Sequence, residues 1–140
     1  MPSEPDDVLP ILQGVESIAV VGMSRDPNKA AHGIPAAMQA AGFRVIPVNP
    51  FAGSELLRER VYASLADVPA RLELVLVFRP SAEAEAITRE AVRLGARAVW
   101  LQQGITSPAA QQLAREAGLL YVEDRCIGVE RAVHRIRKGG

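Results

Sequence analysis

Five short apolar runs are spaced along this chain, most of them followed by glycine or proline, and patterns of helical period lie between them. The runs are Ser17-Ile18-Ala19-Val20-Val21, Arg44-Val45-Ile46-Pro47-Val48, Leu74-Val75-Leu76-Val77-Phe78, Ala98-Val99-Trp100-Leu101 and Leu119-Leu120-Tyr121-Val122. A continuous apolar run, unlike one alternating with polar residues, suits a strand covered on both faces. Between them, Ile34, Ala37, Met38 and Ala41 fall at helical spacing before Gly42, and Ala84, Ile87, Ala91, Val92 and Leu94 do so before Gly95. Ser81 reads as the N-cap of that second helix, with Glu83 and Glu85 in its first turn. Ser107-Pro108 opens a third helix, running to Gly118. Strands alternating with helices of this length predict an α/β fold, a doubly wound, mostly parallel five-stranded sheet with helices on both faces, Rossmann-like.

Some segments fit this rhythm less well. Pro47 has no N–H to give a ladder, which calls for a bulge or for a strand paired on one side only. Residues 51–72 are the least regular, with a short strand expected near Val61-Tyr62 and a turn of helix from Ser64. A helix over about 5–14 is expected to precede the core of about 15–126, and a basic amphipathic helix over about 127–138 to follow it. The whole of 1–140 then reads as one domain, in keeping with its 140 residues.

Composition narrows the function. With 49% apolar and 23% charged residues the chain resembles an ordinary globular protein. Its formal net charge of zero removes the electrostatic case for a nucleic-acid partner. One cysteine, Cys126, precludes an intrachain disulfide and favours a reducing compartment. Neither a signal peptide nor an apolar run of about 20 residues is present, so a cytoplasmic location away from membranes is expected.

In an open α/β sheet, ligands bind beyond the carboxyl ends of the strands where strand order reverses. The first strand and the one ending at Phe78 should flank that point. The segment Gly22-Met23-Ser24-Arg25-Asp26-Pro27-Asn28-Lys29 offers close backbone approach, a hydroxyl, two cations and a helix N-terminus, a set suited to phosphate. It matches neither G-x-G-x-x-G nor a Walker A loop, so a plain glycine-ended strand with a capped turn fits the local sequence equally well. Asn49-Pro50 stands where a nicotinamide-binding domain places an acidic residue for the ribose. Arg79 either faces the same crevice or pairs with Glu83 at the surface, and Gln102-Gln103-Gly104 is either a ligand loop or a polar turn. His32 and His134 read as solvated, and Cys126 as a small buried residue. No acid, base or nucleophile set is evident, nor any metal-ligand spacing.

The order and spacing of these segments resemble the single-domain CoA-binding protein family, which shares its fold with the CoA-binding domain of the succinyl-CoA synthetase alpha subunit. The resemblance rests on Ile18 to Ser24, Pro27, Lys29, Gly42 to Pro50, Tyr62 to Leu65, Val77 to Arg79, Val99 to Ile105 and Asp124-Arg125-Cys126. It implies that Gly22, Met23, Ser24, Arg25 and Lys29 hold the diphosphate and 3′-phosphate of coenzyme A or an acyl-CoA. Val48, Asn49 and Pro50 would line the adenine or ribose side. Phe78 and Arg79 would lie near the pantetheine, and Gln103 and Gly104 near its thiol end. Ala30-Ala31 depart from the family by lacking a polar side chain, which removes one phosphate contact. The chain also lacks the synthetase domain that carries a phosphorylated histidine, so no ligase activity is implied. Non-catalytic binding of a small nucleotide ligand is therefore the leading expectation. The alternatives are an NAD(P)-binding oxidoreductase or redox-sensing domain, and a regulatory domain whose basic final helix docks on a protein partner or a second copy.

Overall fold

A computed structural model describes residues 6–139. Its main sheet contains β1 (Ser17–Val21), β2 (Arg44–Val48), β5 (Leu74–Val77), β6 (Ala98–Leu101) and β7 (Leu120–Val122), in the order β2-β1-β5-β6-β7. Every neighbouring pair in it is parallel. The reversal of order lies between β1 and β5, as the sequence predicts. A separate antiparallel hairpin joins β3 (Glu55–Leu56) to β4 (Glu59–Arg60).

Alternate residues of each central strand feed two cores. Ile18, Val20, Leu74, Leu76, Ala98 and Trp100 face one, together with side chains of α1 (Val8–Gly14), α2 (Ala30–Ala40) and α5 (Ile127–Val133). Ala19, Val75, Val77, Val99 and Leu101 face the other, under α3 (Ser81–Arg93) and α4 (Pro108–Glu116). Buried alanines at 84, 91, 110 and 114 let those two helices lie close to the sheet. Trp100 is fully buried, and its indole N–H donates to the Arg125 carbonyl at 2.8 Å, so no polar atom is stranded there.

Pro47 is accommodated by position. β2 is an edge strand, and the Pro47 carbonyl faces away from β1, accepting the Tyr62 N–H at 3.0 Å. The strand expected near Val61-Tyr62 reduces to a single bridge between Val48 and Tyr62, followed by a 3-10 turn at Leu65–Asp67. Ser81 is not the N-cap of α3. Pro80 takes that place without a side-chain cap, and the Ser81 hydroxyl instead accepts the Thr106 N–H at 3.0 Å.

Both flanking helices are shorter than expected. α1 begins at Val8, while residue 5 lies outside the described residues. α5 stops at Val133, because Arg135 adopts φ 54° and turns the chain back. The end of the chain crosses the bottom of the sheet instead of continuing as a basic helix. Ile136 packs on the core, the Lys138 N–H donates to Ala41 at 2.7 Å, and its ammonium donates to Gln13 at 2.9 Å.

Candidate functional site

At the switch point a cleft of about 340 Å³ opens beyond the carboxyl ends of β1 and β2. Its walls come from Gly22, from Val48 to Phe51, from Ala63 to Leu65, and from the Arg79, Glu83, Ala86, Ile87 and Glu90 side of the sheet. The walls are mainly apolar, with a polar rim, as in small-molecule sites. Phe51 stands at the lip with 91% of its surface exposed, an unusual state for a phenyl ring.

Four strand-end positions expected in the site meet here along with Gly22: Val48, Asn49, Pro50 and Arg79. Gly22 has φ +87°, and a Cβ there would stand 2.8 Å from Arg79 Cδ, so the Arg79 stem lies directly on the glycine backbone. Its guanidinium turns to Glu83, donating from Nε at 3.1 Å and Nη2 at 2.8 Å. These bonds hold the Glu83 carboxyl below its ordinary range and raise Arg79. Arg79 thus lines the crevice with its stem, while its guanidinium pairs with Glu83.

Asn49 ties two loops together. Its amide nitrogen donates to the Met23 carbonyl at 2.9 Å, while its oxygen accepts the Phe51 N–H at 2.9 Å. Met23 itself is fully buried, so only its backbone takes part in this region.

The segment after Gly22 forms a tight, internally bonded loop. The Ser24 hydroxyl accepts the Asp26 N–H at 3.0 Å, and the Asp26 carboxylate accepts the Asn28 N–H at 2.9 Å. Lys29 is the extended N-cap residue of α2, and its carbonyl accepts the N–H groups of His32 and Gly33 at 3.0 Å each. The amides of Arg25, Ala30 and Ala31 have no acceptor among the described residues. The two alanines, which lack polar side chains, therefore still offer polar backbone at the positive end of α2. His32 is not merely solvated: its Nδ1 donates to the Ser24 carbonyl at 2.8 Å.

Arg25 reaches across to the neighbouring loop. A Cβ on Gly53, which has φ +83°, would stand 2.6 Å from Arg25 Nη1, so the absent side chain makes the seat for the guanidinium. That guanidinium makes no hydrogen bond or ion pair among the described residues.

Met23, Ser24, Arg25 and Lys29 of the loop do not line the cleft, and three further expected positions, Phe78, Gln103 and Gly104, also stand apart from its walls. Phe78 is half-buried against the core on the side of α1, α2 and α5, and its N–H donates to the Val21 carbonyl at 2.9 Å. Gln103 is exposed, and the Gly104 N–H donates to Asp124 at 2.7 Å. The buried member of that loop is Gln102, whose side-chain oxygen accepts the Ile127 N–H at 3.2 Å.

Sequence reasoning missed Phe51 and the stripe Glu83, Ala86, Ile87 and Glu90 on α3. The stripe has the spacing i, i+3, i+4, i+7 and sits beside the core stripe of Ala84, Thr88 and Ala91. The sequence reading places Ile87 in the apolar stripe of this helix and Glu83 in its first turn, and assigns none of the four to a ligand. Among the described residues, no group of three or more His, Cys, Asp or Glu side chains is placed to hold a metal, and no helix is long and apolar enough to cross a membrane.

Comparison with known proteins places this geometry among relatives. Residues 16–132 match the family described as the CoA binding domain. The protein YneT of Bacillus subtilis (strain 168) is 36% identical over 127 residues, which cover 91% of this chain and 93% of that protein. A solved structure from Thermus thermophilus is 38% identical with a TM-score of 0.85, covering 91% of this chain and 96% of the other. A protein from Pyrococcus horikoshii OT3 is 30% identical with a TM-score of 0.85, covering 97% and 99%.

Proposed function

The chain belongs to the CoA binding domain family, and on that premise we propose that it binds coenzyme A or an acyl-CoA across the switch point, without a reaction of its own. One observation carries the reading: a mainly apolar cleft of about 340 Å³ adjoins a loop whose amides and cations have no partner among the described residues. A nucleotide has those two halves, a ring that leaves water and phosphates that need donors. Arg25, seated on Gly53, and Lys29, at the head of α2, are the side chains that meet the phosphates. The amides of Arg25, Ala30 and Ala31 complete the set, and Phe51 covers the ring from the lip of the cleft.

A dinucleotide suits the site less well. The residue that follows β2 is Asn49, and both ends of its side chain are already bonded to Met23 and Phe51. The ribose diol of a nicotinamide cofactor would have to displace one of them. The reading of binding without a reaction is supported by the cleft carboxylates, Glu83 and Glu90, each of which accepts from an arginine, Arg79 and Arg93.

The test is a calorimetric and thermal-shift titration with CoA, with dephospho-CoA, NAD and ATP as controls. CoA should stabilise the protein more than any control, and no stabilisation at millimolar CoA overturns the reading. Arg25→Ala and Lys29→Ala should each weaken CoA binding by about ten-fold, the cost of one charge-assisted hydrogen bond. A smaller loss with dephospho-CoA assigns that residue to the 3′-phosphate, and an equal loss assigns it to the diphosphate.

A further inference from the structure

We infer that Pro35 and His32 are positioning residues for the anion-holding loop, which they hold by latching the Ser24 peptide to the first turns of α2. The inference rests on the ligand reading above for its consequence, although the latch itself does not depend on it.

In a regular α-helix the carbonyl of Ala31 accepts the N–H of the residue four positions on. That residue is Pro35, which has no N–H and stands inside α2, where proline is the least favourable of all residues. The carbonyl does not go unused. It accepts the Ser24 N–H at 3.1 Å, across the loop. One helical turn supplies the second half of the latch, where His32 Nδ1 meets the Ser24 carbonyl at 2.8 Å. A carbonyl only accepts, so Nδ1 carries the proton and Nε2 is the open nitrogen. Both sides of the Ser24 backbone are thus fixed to α2, while its hydroxyl accepts from Asp26.

The consequence concerns the loop's free donors. Arg25 follows Ser24 directly, whereas Ala30 and Ala31 begin the helix. The latch fixes the strand side of the loop against the helix side and so sets the separation between these amides before a ligand arrives. A loop ordered in advance loses less freedom on binding, and the affinity is correspondingly higher. A proline that weakens its helix is thereby explained by the acceptor it releases to the loop.

The test uses the full chain. Pro35→Ala gives residue 35 an N–H that competes for the Ala31 carbonyl and frees Ser24. The ligand-free melting temperature should hold or rise, while the dissociation constant for CoA rises by about three- to ten-fold, the range for one ordinary hydrogen bond. Amide exchange at Ser24 should quicken without ligand. His32→Ala should weaken CoA in the same direction, and His32→Asn, which keeps a donor near the Nδ1 position, should restore most of the affinity. Unchanged exchange at Ser24 in Pro35→Ala overturns the latch. Quickened exchange with unchanged CoA affinity in both alanine variants overturns its role in binding, as does an affinity that falls only in step with melting temperature. Should Pro35→Ala not fold, the His32 pair decides the matter by the same measurements. A wild-type protein that CoA does not stabilise overturns the ligand reading, and Ser24 exchange still decides the latch.

Discussion

Arg79 shows how much a single side chain can hold in this protein. Its stem covers Gly22, and its guanidinium is bonded to Glu83, so an anionic ligand entering over Gly22 competes with that carboxylate. The pair is half-exposed, with side-chain exposures of 47% and 46%, and exposed pairs of this kind are weak. It therefore restrains the arginine without locking it. Glu83→Gln should release Arg79 to the ligand and remove a like charge from the cleft. CoA affinity is expected to rise about two- to five-fold by calorimetry, with a smaller effect at high salt. An unchanged or lower affinity would show that Arg79 does not move toward the ligand. The sequence placed Arg79 and Glu83 four residues apart on a strand end and a helix, which made both roles legible. It could not rank them, because the angle at which the chain leaves β5 for α3 decides whether the guanidinium meets the helix or the loop.

At the scale of elements, the β3–β4 hairpin is the segment whose sequence argued against its structure. Its two central residues, Leu57 and Arg58, have φ 52° and 62°, a region that glycine adopts without penalty and other residues do not. Two contacts hold the turn there. Leu57 packs against the core, and its carbonyl accepts the Gln39 side-chain amide of α2 at 2.9 Å. Arg58 is exposed and gains nothing comparable. Arg58→Gly should therefore raise stability by about 0.5–1 kcal/mol, measured by denaturant unfolding, since relief of the left-handed strain outweighs the entropy glycine loses. Leu57→Gly should lower stability, because the packing goes with the side chain. The hairpin escaped the sequence reading for the same reason: tertiary contacts, and no asparagine or glycine, make the turn. Strands β1, β5 and β6 were legible at once, since burial on both faces leaves a continuous apolar run.

For the molecule as a whole, the edges of the sheet matter most. On the β2 side Tyr62 bridges to Val48. On the β7 side the Tyr121 N–H donates to the Asp7 carboxylate at 2.9 Å, and Asp7 also pairs with Arg115 at 2.6 Å. A charged group at that edge deters pairing with another chain. The Tyr121 ring lies in the core beneath it, with its hydroxyl donating to Glu123 at 2.8 Å. Burial, and then this bond, push the phenol well above its ordinary value of 10.0. In the unfolded chain the phenol ionises at the lower value, while in the folded protein it keeps its proton. The stability it contributes is therefore complete below pH 10.0 and is lost as pH rises beyond it. Denaturant midpoints should hold up to about pH 9 and fall progressively as pH rises from about 10. They should fall less in Tyr121→Phe, and equal falls in the two proteins would assign the loss to other groups.

The sequence by itself determined the parallel doubly wound sheet and the region of its switch point, because apolar runs and helical periods record burial directly. It also marked Gly22 to Lys29 and Asn49-Pro50 as the places where a ligand could be held. Tertiary structure alone decided which of those groups remain free. Asn49 is committed to Met23 and Phe51, Ser24 to α2, and Arg79 to Glu83, whereas Arg25 rests on Gly53 without a polar partner among the described residues. A residue's chemistry is written in its side chain, but its availability depends on what the fold brings within hydrogen-bonding reach.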